Sequence, residues 1–143
     1  MNIITEIVDV TKIKAELLTN FEAEKVSKKD ALNIMNALHY LSHLTYGQKW
    51  TINKFMDERD CIVSAIRRDV TDAVIDGKPQ YSNDAKRQAE IDVRLSANEK
   101  YAKLNESIAN ENVALHNSET EQSWFRRAWV YVTQLSLGAS ETV

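Results

Sequence analysis

Apolar residues recur along this chain at spacings of three and four, the mark of helix faces turned toward a core. The first series, Ile3, Ile7, Val10, Ile13, Leu17 and Phe21, predicts an amphipathic helix over about residues 3–24. Glu22 to Lys29 is charged and reads as a connector. Ser27 and Asp30, three apart ahead of an apolar run, have the form of a helix start. A longer series follows, comprising Ala31, Met35, Leu38, Leu41, Thr45, Ile52, Phe55, Ile62, Ile66, Val70 and Val74. It predicts a first arm over about residues 28–75, with Gly47 inside it as a place for a kink or break. Unbroken, that arm would be on the order of 70 Å long at about 1.5 Å per residue. Such a rod needs a second arm, other subunits, or both, to cover it.

The rhythm stops at residues 76–82, where Gly77 and Pro79 (the only proline) can cap one helix and refuse to continue it. Ser82, Asn83 and Asp84 then offer oxygens to the free N–H groups of an outgoing helix. Two helices joined so briefly are expected to run back along each other. The second arm covers about residues 83–137, and Ser96-Ala97-Asn98-Glu99 inside it has the form of a helix restart. Beyond it Tyr101, Leu104, Ile108, Leu115, Phe125, Trp129 and Val132 keep a heptad-like beat, interrupted by Asn112, Ser118 and Gln122. Polar positions in such a seam can set register and oligomer state. The expected fold is therefore all-α: one domain over residues 1–143, a long antiparallel helical hairpin plus an N-terminal helix, self-associating through the C-terminal helix.

Composition agrees with this. Three Gly and one Pro in 143 residues leave little room for the turns of a β-sandwich. Cys61 is the only cysteine, which removes internal disulfides and thiolate clusters and suits a reducing cytoplasm. The start of the chain has neither the basic region nor the apolar core of a signal peptide. The uncharged run from Ala31 to Gln48 contains Asn33, Asn36, His39, Ser42, His43, Thr45 and Gln48, too polar to span a bilayer. A net charge of −3 gives no general attraction to nucleic acid, so any such binding must gather its cations on one face or in an assembly.

No signature of catalysis is present: the glycines are scattered, and no nucleophile–base pattern has recognisable spacing. No enzymatic activity, cofactor or resident metal is expected. His39 and His43, one helical turn apart, have a spacing that can grip a metal, but apolar flanks make packed or interfacial histidines the default. Arg59, Arg67 and Arg68 close the first arm, Lys78 sits at the tip, and Lys86, Arg87 and Arg94 begin the second arm. A hairpin gathers these cations at one end with Tyr81 among them, a combination that suits a single strand. Against it, Asp69, Asp72, Asp76 and Asp84 are interspersed, as on an ordinary salt-bridged surface. Trp124, Phe125, Trp129 and Tyr131 with Arg126 and Arg127 form the other unusual stretch, readable as core packing, a subunit contact or a base-stacking patch, with membrane docking last. The acidic segment with Glu106, Glu111, Glu119 and Glu121 is a poor surface for phosphates.

Tyr81-Ser82-Asn83-Asp84, Glu90 and Leu95-Ser96-Ala97-Asn98-Glu99-Lys100 resemble the matching stretch of the UvsY-type recombination mediators of T-even phages, at the same spacing. Chain length and the order of helices are also similar. The resemblance implies a homo-oligomer, in that family a ring, that binds single-stranded DNA. It also implies a role in loading a RecA-like recombinase onto strands coated by single-strand binding protein. A basic pair at the end of the family's first arm contributes to DNA binding. Here Arg68 matches one member, and the other falls on Ile66, with Arg67 beside it. The DNA-binding set is thus expected at Arg59, Arg67, Arg68, Lys78, Tyr81, Lys86 and Arg87. Self-association is expected at Tyr101, Leu104, Ile108, Leu115, Trp124, Phe125, Trp129 and Val132. The competing expectation is a structural or scaffolding hairpin protein with no nucleic-acid ligand.

Overall fold

The computed structural model describes residues 8–140. Helix α1 covers Val10–Glu22, α2 Lys28–Asp72, α3 Asp84–Ser96 and α4 Glu99–Ser140; between α2 and α3 lie two short strands, β1 (Val74–Ile75) and β2 (Lys78–Pro79). The fold is all-α, made chiefly of two long helices, α2 and α4, with a shorter N-terminal helix, and the hairpin is the only sheet among the described residues. Ile3 and Ile7 of the first apolar series lie outside these residues. The described residues divide into two compact units, one of residues 8–47 and 115–140, the other Gln48–Ala114.

The first unit is a three-helix core. Asp9 caps α1 by accepting the Lys12 N–H at 3.0 Å. The helix ends when Glu24 turns left-handed (φ 53°), so that its N–H reaches the Phe21 carbonyl and the Lys25 N–H the Asn20 carbonyl. Ser27 and Asp30 then cap α2 reciprocally. The Ser27 N–H donates to Asp30 at 2.9 Å, the Asp30 N–H to Ser27 Oγ at 3.3 Å, and Asn20 reaches over from α1 to the same carboxylate at 2.8 Å. Leu17, Ile34, Ala37, Leu41, Phe125, Ala128 and Val132 are buried together, with Val10, Ile13, Phe21 and Trp124 around them. Each of the larger side chains contributes about 1.5–3 kcal/mol by leaving water. Lys14 ties α1 to α4 through Glu121 at 3.2 Å and lies over the Trp124 ring, while Gln122 donates to Ser42 across α2 and α4.

The apolar phase of α2 differs from the expected one at one position: Ile34 is the buried residue, and Met35 stands 54% exposed. The run from Ala31 to Gln48 has apolar residues all round, so periodicity alone did not single out a face.

In the second unit the buried residues are Ile52 and Val70 of α2, Ile91 of α3, and Leu104 and Ile108 of α4. Helix α2 passes through Gly47 unbroken and stops at Asp72, so Val74 belongs to the hairpin. The restart foreseen at Ser96 occurs two residues later. Ala97 ends α3, Asn98 Oδ1 accepts the Tyr101 N–H at 2.8 Å to open α4, and the Ser96 hydroxyl donates back to the Asp92 carbonyl.

Candidate nucleic-acid interface

The bend between α2 and α3 lies within the second unit and is a β-hairpin rather than a plain turn. Asp76 and Gly77 both have positive φ (53° and 76°), the conformation of a two-residue type I′ loop, whose twist matches that of the strands and whose need for positive φ at both positions favours Asp-Gly. Val74 pairs with Pro79 and Ile75 with Lys78, and the Gln80 N–H closes the ladder on the Ala73 carbonyl at 2.9 Å. Val-Ile before Asp-Gly was the available sequence signal, but strands of two residues cannot display a period of two. Both Val74 and Ile75 are more than half exposed.

The hairpin brings the end of α2 beside the start of α3. Asn83 caps α3 by accepting the Lys86 N–H at 2.9 Å. Arg67 and Arg68 lie within two helical turns of its base on one side, and Lys86 opens the helix on the other. These two arginines, Lys78 and Lys86 are exposed, and none has a side-chain ion pair among the described residues.

The remaining expected contacts are engaged within the chain. Arg59 donates to Asn105 at 3.2 Å. Arg87 pairs with Asp84 and donates to the Tyr81 carbonyl at 3.3 Å. Tyr81 is half-buried, and the Arg94 guanidinium pairs with Glu90 at 2.9 Å. Glu90 first and Tyr81 second hold the Arg94 pKa above its ordinary value. The Arg94–Glu90 pair was not anticipated from the sequence, where (i, i+4) pairs are too common to single one out. The open set is thus Arg67, Arg68, Lys78 and Lys86, beside an apolar hairpin edge. From residue 67 to 86 four cations alternate with four aspartates, so the field of this segment is close to balanced.

The residues expected at a subunit contact are mostly internal. Phe125 and Val132 belong to the first unit's core, Leu104 and Ile108 are buried in the second, and Tyr101, Leu115 and Trp124 are half-buried. Trp129 alone of that set is open, next to Val130 and Tyr131, the latter stacked edge-on against Phe21 at 4.8 Å between centroids. Leu18, Phe21, Trp124, Arg127, Ala128 and Tyr131 line a groove of about 260 Å³ there. No described helix is long and apolar enough to cross a membrane.

Comparison of the chain with protein-family models, with curated proteins and with solved structures finds no match in any of the three.

Proposed function

We propose that this protein binds single-stranded DNA at the hairpin end of the second unit, as a cytoplasmic homo-oligomer. In this reading it is a recombination mediator that helps a RecA-like recombinase load onto strands covered by single-strand binding protein. The observation that supports the reading most is the neighbouring pair Arg67 and Arg68, exposed at the end of α2 without an acidic partner among the described side chains. Lys78 and Lys86 add point charges, and Val74 and Ile75 offer an apolar edge against which unpaired bases can lie. Four phosphate contacts per chain, countered by as many aspartates, make a weak grip. Repetition around an oligomer raises it through effective concentration. For self-association the open part of α4, Trp129 with Val130 and Tyr131, carries residue types that dominate subunit contacts.

Fluorescence anisotropy with labelled oligo-dT tests the reading. The full chain binds at low salt, and Arg67→Ala/Arg68→Ala loses at least about tenfold in affinity while keeping its helical content and its mass in solution. A wild-type chain that leaves the oligonucleotide free, or a double variant that binds as well as wild type, rejects it. Assembly without any DNA binding would be the behaviour of a scaffolding protein.

A further inference from the structure

The core face of α2 in the first unit is Ile34, Ala37, Leu41 and Thr45. Two residues on from the first three of these, about 200° round the helix, lie Asn36, His39 and His43. With Leu32 and Tyr46 they form a seam on the solvent side at spacings of four, three, four and three. All five are exposed, Leu32 by 56% and Tyr46 by 74%, and Met35 beside them by 54%. No Asp, Glu, Lys or Arg occurs anywhere from Ala31 to Gln48. A solvent-facing helix surface without charge, apolar at both ends and with two imidazoles at its middle, asks for an occupant. The two rings already touch edge to face, 4.6 Å between centroids. Being exposed, they can turn through ordinary rotamers to aim two nitrogens at one point.

We propose that His39 and His43 chelate a borderline divalent cation of the zinc type, and that the same pair from a second copy of this chain completes the coordination. One turn of helix between two histidines is the separation at which both reach a single ion. Among the described residues no group of three or more metal-ligating side chains comes together, so one chain supplies two ligands of the four a tetrahedral ion takes. The seam supplies the rest by symmetry. A two-fold axis crossing α2 at the height of Leu41 sets His39 opposite the second copy's His43. It also sets Asn36 opposite the second copy's Tyr46, so each pair repeats on both sides of the ion, as an isologous contact requires. With no charge on the facing surfaces, two copies of a chain of net charge −3 can meet there without like-charge contact. The seam from Leu32 to Tyr46 is about 21 Å long and one helix wide, far short of the roughly 800 Å² per partner of a stable interface. The apolar contact is therefore too small to hold two chains alone. The ion is what closes it.

The test uses the full chain and Zn²⁺ alone. Zinc titration against a competing chromophore gives one ion per two chains, and sedimentation velocity shows the mass doubling relative to the same protein in EDTA, whatever its assembly state there. His39→Ala or His43→Ala each loses more than the about 10–100-fold in zinc affinity that a mere supporting residue would cost, with helical content unchanged. Tyr46→Lys leaves both ligands in every chain but sets a charge in the contact, so the mass doubling is lost. Absence of zinc binding, one ion per chain with no change in mass, or a zinc-dependent mass change that survives in the His39→Ala/His43→Ala double variant overturns the proposal.

Discussion

Asp30 is a buried carboxylate, 5% exposed, without an ion pair among the described residues, and it is held by hydrogen bonds instead. Its carboxylate accepts from the Ser27 N–H, the Ser27 hydroxyl and Asn20 Nδ2 at the start of α2, where the helix dipole favours an anion. Asp30→Ala leaves an N–H and an amide donor without acceptors under the α1–α2 turn, and is expected to cost about 2–3 kcal/mol, read from urea unfolding. Glu24 makes the opposite case. Its left-handed backbone costs a residue with a Cβ about 1–2 kcal/mol. Glycine gives back part of that through a freer unfolded chain, about 0.4–1 kcal/mol. Glu24→Gly should therefore stabilise by about 0.5–1 kcal/mol; a loss of stability would mean that the Glu24 side chain contributes more than its strained backbone costs. The Ser27–Asp30 cap was legible in the sequence because both partners sit three residues apart. Asn20 was not, since it arrives from another helix.

Single elements show where periodicity suffices. Around Leu17 and Phe125 the spacing of apolar residues identified the buried face. Met35 and Ile34 exchanged roles because that stretch of α2 is apolar all round. The hairpin escaped because four strand residues carry no rhythm, leaving Asp76-Gly77 as its only mark. Gly47 was read as a place to kink, and α2 runs through it. A methyl group built there meets nothing within 4 Å, so the glycine costs helix stability without relieving a clash. Gly47→Ala is expected to stabilise by about 0.5–1 kcal/mol and to raise the thermal midpoint by about 2–4 °C. A lowered midpoint would indicate that bending at Gly47 is needed.

At the scale of the whole molecule, the readings rest on how charge and apolar surface are shared between a chain and its copies. Net charge is −3, and the cations at the hairpin are matched in number by aspartates, so nothing long-ranged draws a polyanion in. The proposed binding of a strand therefore rests on short-range contacts, and these have a measurable count. For a single strand the logarithm of affinity falls with the logarithm of salt at a slope of about −0.7 for each phosphate neutralised. If Arg67 and Arg68 each hold one phosphate, their joint replacement by alanine flattens that slope by about 1.4 for every subunit engaged on the oligonucleotide. Arg87→Ala should leave it unchanged, because that guanidinium is already held by Asp84 and the Tyr81 carbonyl. The slopes are measured by anisotropy between about 50 and 200 mM salt, with oligo-dT long enough to reach several subunits. A change that multiplies with oligonucleotide length places the arginines on a path shared by the assembly. An equal loss of affinity at every salt concentration would mean that they act on folding or assembly and touch no phosphate.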